Sequence, residues 1–166
     1  MKIGVISDTH DHIPNVNKAI EIFNNEKVDL VIHAGDIVSP FMAPKCFKNL
    51  NCPLKMVYGN NDGDLLFLEK KFAELDVKIE REYLEIEIDD GKKIITFHTI
   101  QESILDAMIK SNNYSVIIYG HSHEKEVKKI GNTLVVNPGE CCGYLTDEPT
   151  IAIIDLEALE AEIIQL

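Results

Sequence analysis

The sequence predicts an α/β fold in which mixed sheets are flanked by helices, and three observations predict it. Short β-rich runs alternate with helical patterns through the first half, and paired runs joined by turns fill most of the second. The polar residues that could do chemistry each follow directly after an apolar strand. At 166 residues the chain is long enough for one domain with a substantial core, so residues 1–166 are expected to form a single unit.

Lys2 to Ser7 reads as the first strand, ending at Asp8-Thr9-His10, and Val28 to Ala34 as the second, ending at Gly35-Asp36. Pro53 to Tyr58 is the third and ends at Gly59-Asn60. Val16, Ala19, Ile20 and Phe23 share a helical face after Pro14, and Leu65, Leu68, Phe72 and Leu75 do the same after Asp62-Gly63-Asp64. The opening is therefore β-α-β-α-β-α. Tyr83 to Ile88 alternates apolar and acidic residues, Asp89-Asp90-Gly91 makes a turn, and Lys93 to Phe97 pairs back. Glu85, Glu87 and Asp89 are then the solvent face of a strand. A helix is expected from about Glu102 to Lys110, followed by a strand from Tyr114 to Tyr119. Val127 to Ile130 and Leu134 to Val136 form a hairpin about Gly131-Asn132, and Ile151 to Asp155 pairs with Glu160 to Ile164.

Hydrophobic residues make up 45% of the chain and charged residues 27%, which is an ordered globular composition without a linker. The first residues read as a strand rather than a signal peptide, and no apolar run approaches the roughly 20 residues that cross a bilayer. A soluble protein with no membrane partner is expected. Cys46, Cys52, Cys141 and Cys142 match neither a metal-binding CxxC pair nor a secreted disulfide framework, which points to reduced thiols in the cytoplasm. A net charge of -12 argues against nonspecific nucleic-acid binding. An anionic substrate would need something locally positive to draw it in, and metal ions would serve.

Asp8 and His10 are two apart, so in extended geometry both side chains point to one side and can bind one ion together; His121 and His123 repeat the spacing. Asp36 and Asn60 each follow a glycine that lets the backbone turn sharply, and His98 closes the fifth strand. Carboxyl ends of parallel strands converge on one rim of an α/β sheet, so these segments can meet. Four imidazoles, two carboxylates and an amide oxygen are too many for one tetrahedral ion. Two ions sharing a carboxylate would use them all, and mixed nitrogen and oxygen donors suit manganese, iron, cobalt, nickel or zinc better than calcium.

Asp8-Thr9-His10, Gly35-Asp36, Gly59-Asn60-Asn61-Asp62, His98 and Gly120-His121-Ser122-His123 resemble, in order, the five signature blocks of the calcineurin-like metallophosphoesterases. The resemblance runs to Asn137-Pro138-Gly139, about four fifths of the chain, and is greatest to the small prokaryotic phosphodiesterase branch, which is also similar to the retromer subunit Vps29. It implies an α/β/β/α sandwich of two mixed sheets. It also implies that Asp8, His10, Asp36 and His123 hold one divalent metal and Asp36, Asn60, His98 and His121 the other, with Asp36 as the bridge. Manganese or nickel is the expected metal, with iron, cobalt or zinc as alternatives, and a hydroxide bridging the two ions would cleave a small phosphodiester. A phosphomonoesterase or nucleotide pyrophosphatase would use the same centre. A Vps29-like binding scaffold is the rival from another class, and retention of His10 with every other ligand type favours the enzyme.

Two positions depart from the family pattern. Asn61 stands where many members carry a histidine able to contact the phosphate or protonate a leaving group, and His98-Thr99-Ile100 replaces the usual His-Gly-His. Aryl leaving groups should therefore be favoured. His12 is the other residue expected at the substrate or just behind the ligands. His33 is expected to be a packed histidine or one supporting a ligand from behind, Asp62 a helix N-cap rather than a residue orienting Asn61, and Cys141 and Cys142 packing residues.

Overall fold

Period-two apolar patterning builds two sheets that pack face to face. The computed structural model describes residues 1–88 and 91–166. The chain runs β1 (Lys2–Ile6), α1 (Ile13–Glu26), β2 (Leu30–His33), α2 (Met42–Lys45), β3 (Leu54–Val57), α3 (Leu65–Ala73), β4 (Ile79–Glu80), β5 (Leu84–Glu87) and β6 (Lys93–Thr96). It continues through α4 (Glu102–Ser111), β7 (Val116–Ile118), β8 (Lys125–Ile130), β9 (Thr133–Pro138), β10 (Thr150–Asp155) and β11 (Glu160–Gln165). One sheet has the order β11-β10-β1-β2-β3-β4 and the other β5-β6-β7-β9-β8. β1 to β4 are parallel, as are β6, β7 and β9, while the outer hairpin strands run antiparallel.

Alternation divides the apolar residues between two layers. Ile3, Val5, Leu30 and Ile32 face Val116, Ile118, Leu134 and Val136 in the core between the sheets. The opposite face of the first sheet, with Ile6, Val31 and Met56, packs on Val16 and Phe23 of α1 and on Leu68 and Phe72 of α3. Outside the second sheet, Ile95, Ile117 and Val135 meet Ile109 of α4. Each fully buried aliphatic side chain contributes roughly 1.5–3 kcal/mol relative to exposure, so a register slip in either sheet would be costly. α1 lies so close on β1 that a Cβ at Gly4 would come within 2.7 Å of the Phe23 ring. The result is the expected α/β/β/α sandwich.

α1 starts where Pro14 fits the first turn and the His12 imidazole accepts from the Asn15 backbone N–H at 3.3 Å. It ends at Lys27, which turns into the left-handed region. The expected strands and helices are present with shifts of a few residues at their ends. β4 was not anticipated, and α2 is a single turn continued by a short 3-10 turn, Phe47–Asn49. Glu85 and Glu87 are exposed as expected. Asp89 and Asp90 of the expected turn lie outside the described residues, and Gly91 at its end adopts φ 81°. Among the described residues, no helix is long and apolar enough to cross a membrane.

Candidate metal centre

The loops after β1 and β2 are tied together by their own backbones. The Asp8 N–H donates to Gly35 O at 3.0 Å, and the N–H groups of Thr9 and His10 both donate to Asp36 O, at 3.0 and 3.1 Å. Buried His33 locks this junction. Its Nδ1 accepts from the Gly35 N–H at 3.1 Å, so the proton sits on Nε2 and is given to Thr9 Oγ1 at 3.2 Å. Burial pushes the His33 imidazole down to about 3, which keeps it neutral. The packed, supporting histidine read from sequence is what the fold contains.

Asp8, His10, Asp36, His121 and His123 all lie in the left-handed region, with φ between 38° and 68°. Non-glycine residues in that region carry strain of order 1–3 kcal/mol each. This corrects the extended reading of the two i, i+2 pairs. His10 Nε2 still comes within 4.0 Å of Asp8 Oδ1, but His121 and His123 diverge to different partners. The His123 ring stacks on His10 at 5.4 Å between centroids, whereas His121 stands edge-on to His98 at 5.2 Å.

Between the two histidine pairs lie the carboxylates. Asp36 Oδ2 is 3.5 Å from His10 Nε2 and 3.4 Å from His98 Nε2. Asp8 Oδ1 is 3.5 Å from His123 Nε2, and Asp8 Oδ2 accepts from the His121 N–H at 3.1 Å. Asn60 brings its Oδ1 to 2.9 Å from His98 Nε2. All seven expected metal ligands are thus gathered at one place. Asn61 adds two bonds to Asp36, from its backbone N–H to Oδ1 and from Nδ2 to Oδ2, both at 2.7 Å.

The electrostatics of this cluster call for a cation. His98 Nδ1 is 2.8 Å from Ala34 O, which can only accept, so Nδ1 carries a proton. A neutral His98 would then turn the lone pair of Nε2 toward two oxygens, Asp36 Oδ2 and Asn60 Oδ1. Burial disfavours a charged His98, yet the bond and the charge of Asp36 outweigh it and raise its pKa. Burial likewise opposes ionisation of Asp36, but His98 and Asn61 outweigh it, and its carboxyl falls well below the usual range. Asp8 goes the other way, because burial dominates and raises it. Asp8 Oδ1 and His10 Nε2 are buried without a hydrogen-bond partner. Ligand atoms of Asp8, His10 and Asp36 lie within 4.8 Å of one another, as do those of His10, His123 and Cys142. Unpaired lone pairs facing a shared space fit a divalent transition metal with mixed nitrogen and oxygen donors.

Two glycines act through close approach. A Cβ at Gly59 would overlap the Asp36 carboxylate, and one at Gly120 would overlap Ser7 Oγ. Gly59 therefore makes room rather than a sharp turn, whereas Gly35 does turn, at φ 101°. Asp62 is also corrected. It does not cap α3, a role that Asp64 fills by accepting from the Phe67 N–H at 3.2 Å. Asp62 instead accepts from the N–H groups of Ile37, Val38 and Gly59, each at 2.7 Å, and so joins the loops that present Asp36 and Asn60. Those bonds hold β-branched Val38 at φ 80°.

His12 sits at the rim, capping α1 and standing edge-on to Tyr144 at 5.5 Å. Cys141 and Cys142 are buried as expected. Burial pushes the Cys142 thiol up to about 12, and it donates to Glu140 Oε2 at 3.1 Å. Sequence reasoning missed Glu140 and the role of Asn137. Glu140 is fully buried and lies 2.7 Å from His123 Nδ1. Asn137 Nδ2 donates to Gly120 O and Ser122 Oγ, at 3.2 and 3.0 Å, bracing the loop that bears both histidines. The Asn-Pro-Gly turn that precedes Glu140 was the available signal. A cavity of about 190 Å³ beside His123 is lined by Lys125, Thr146 and Glu148 among others.

Comparison with known proteins identifies the family. The calcineurin-like phosphoesterase superfamily domain matches residues 1–159. The chain is 51% identical over 161 residues to a phosphodiesterase of Methanocaldococcus jannaschii, covering 96% of each. A solved structure of a novel archaeal phosphodiesterase is 48% identical and superposes with a TM-score of 0.92 over 100% of both chains. Zinc-complexed Vps29 from Entamoeba histolytica shares the fold, with a TM-score of 0.69 at 20% identity over 100% of this chain and 98% of its own. With the sandwich in place and the family match spanning nearly its whole length, the chain belongs to the calcineurin-like phosphoesterase superfamily.

Proposed function

We propose that the protein is a metal-dependent phosphodiesterase that hydrolyses small phosphodiesters at a site for two divalent ions. The position of Asp36 carries this reading, because its Oδ2 lies 3.5 Å from one histidine of the first pair and 3.4 Å from one of the second. Asp8, His10, Asp36 and His123 would hold one ion, and Asp36, Asn60, His98 and His121 the other. The near-full-length relative that is named a phosphodiesterase supports the substrate class. Manganese or nickel suits this donor set, with iron, cobalt or zinc as alternatives. Two such ions supply, when bound, Lewis-acid polarisation of the phosphoryl group and acidification of water.

The chain's own residues set what can leave. Asn61 holds Asp36 by two hydrogen bonds and offers an amide where a proton donor would stand. An amide does not protonate a departing alkoxide near neutral pH, so aryl esters, whose leaving groups depart unaided, are the better substrates. Exposed Tyr144, edge-on to His12 at the rim, would offer apolar surface for such groups, and exposed Phe41 and Leu66 lie on the segments that follow the Asp36 and Asn60 loops. A net charge of -12 keeps long polyanions away and leaves small esters as the class. Four free cysteines, three of them buried, support the cytoplasm as the compartment.

The test uses demetallated protein reloaded with Mn²⁺ or Ni²⁺. Turnover of an aryl phosphodiester should exceed that of an alkyl phosphomonoester by about 10²-fold or more, and Asn61→His should raise the monoester rate selectively. Equal rates on both classes, or an unchanged ratio in Asn61→His, would contradict the assignment.

A further inference from the structure

A fully buried carboxylate is costly unless its oxygens are satisfied, and Glu140, just after β9, is satisfied from two directions. On one side it meets His123 Nδ1 at 2.7 Å and the Cys142 thiol at 3.1 Å. On the other it accepts from three successive backbone N–H groups, those of Tyr144 at 3.1 Å, Leu145 at 2.9 Å and Thr146 at 2.6 Å, and from Thr146 Oγ1 at 2.7 Å. Every partner is a donor, so His123 must carry its proton on Nδ1. Its Nε2 then presents a lone pair toward Asp8 Oδ1, 3.5 Å away, and toward the stacked His10 ring.

We propose that Glu140 is a positioning residue that fixes the ligating tautomer of His123 and, through the same carboxylate, fastens the loop 142–146 to the metal site. The proposal rests on His123 being a ligand. A carboxylate behind a metal-binding imidazole fixes the ring and raises its basicity. The second set of bonds gives that brace a further consequence. Tyr144, edge-on to His12 at 5.5 Å, is carried by the loop that Glu140 holds, so the rim that receives substrate and the ring that receives the ion share one anchor.

Glu140→Gln separates this role from packing, because the two side chains have nearly the same shape. Glutamine keeps one acceptor oxygen and loses the charge, so bonds to the loop weaken in either orientation, and an NH₂ in place of Oε2 would face both His123 Nδ1 and the Tyr144 N–H. Facing His123, it would drive the proton to Nε2 and remove the ligand. Two readouts are taken on purified protein: stepwise Mn²⁺ affinity by chelator competition, and backbone hydrogen exchange of residues 144–146 without metal. In Glu140→Gln one ion should bind about 10–100-fold more weakly while the other is unchanged, and exchange at residues 144–146 should quicken. His123→Ala should weaken the same ion, and the double variant should be no worse than His123→Ala alone.

If His123→Ala leaves both affinities unchanged, the ligand assignment fails. If it weakens one ion while Glu140→Gln weakens neither, or weakens both alike, the positioning role is overturned; unchanged exchange at 144–146 overturns the link to the loop. Should Glu140→Gln fail to fold, Glu140→Asp is read by the same criteria, with a smaller loss expected at the same ion.

Discussion

The His10 and His123 side of the site and the His98 and His121 side are built from similar residues but held differently. On the first side Asp8 is fully buried, and the side chains of His10 and His123 are 18% and 12% exposed. Glu140 stands behind His123. Asp8 Oδ1 and His10 Nε2 are left without partners. On the second side His98 is buried and fixed by Ala34 O, but Asn60 and His121 are exposed, and Asn60 Oδ1 is already in contact with His98 Nε2 at 2.9 Å. A preformed set of unpaired, desolvated donors gains most from a cation, whereas a set that faces water, and in which a protonated His98 donates to Asn60, must first give up that proton and that bond. The fold thus prepares one half of the site more fully than the other.

The largest expected effect comes from removing what the halves share. Asp36→Asn should lower turnover by at least about 10²–10³-fold at saturating metal, while His33→Ala, which touches only the junction behind the site, should cost less in activity than in stability. Equal losses of activity in the two folded variants, measured side by side, would remove Asp36 from the bridging position.

The next effect in size separates the halves. His10→Ala should weaken the tighter of two Mn²⁺ binding steps by roughly 10–100-fold, and His121→Ala should act on the weaker step. Chelator competition reads both. The reverse order would mean that exposure and self-pairing do not govern affinity here.

The smallest effect is on acid stability without metal. His33 has a folded value near 3, below the 6.5 of an unperturbed imidazole, because burial disfavours its charge. The unfolded chain therefore binds a proton that the folded one refuses between those values, and stability falls as pH drops through that window, by up to about 1.4 kcal/mol per pH unit. Glu140 adds to the fall in its lower part. His123 and Thr146 hold its carboxyl down to about 2 despite burial, so its contribution, complete above its ordinary 4.5, fades as pH falls toward 2. Thermal melts from pH 7 to 3.5 in chelator should show the decline, and His33→Gln should flatten it above pH 4.5.

Much of this is legible in the sequence, because the side chains gathered at the candidate site stand where apolar strands stop and strand ends converge. Asp8, Asp36, Asn60 and His98 needed only that rule. The direction of His121 and His123 was not legible, since spacing assumes an extended chain and both residues adopt positive φ. Asp62 and Asp64 are equivalent as candidate caps in a sequence; only the close packing of the Asp36 and Asn60 loops assigns the former to three backbone N–H groups. Glu140 carried no spacing signal, because its partners lie both 17 residues before it and within the six that follow. β4 has two residues, too few for any period to register.

Metal stoichiometry tests the sharing of Asp36 most directly. Elemental analysis of protein equilibrated with excess Mn²⁺ and freed of unbound ion should give two ions per chain, with activity appearing only as the second step fills. One ion per chain at full activity would contradict a site in which Asp36 serves both halves.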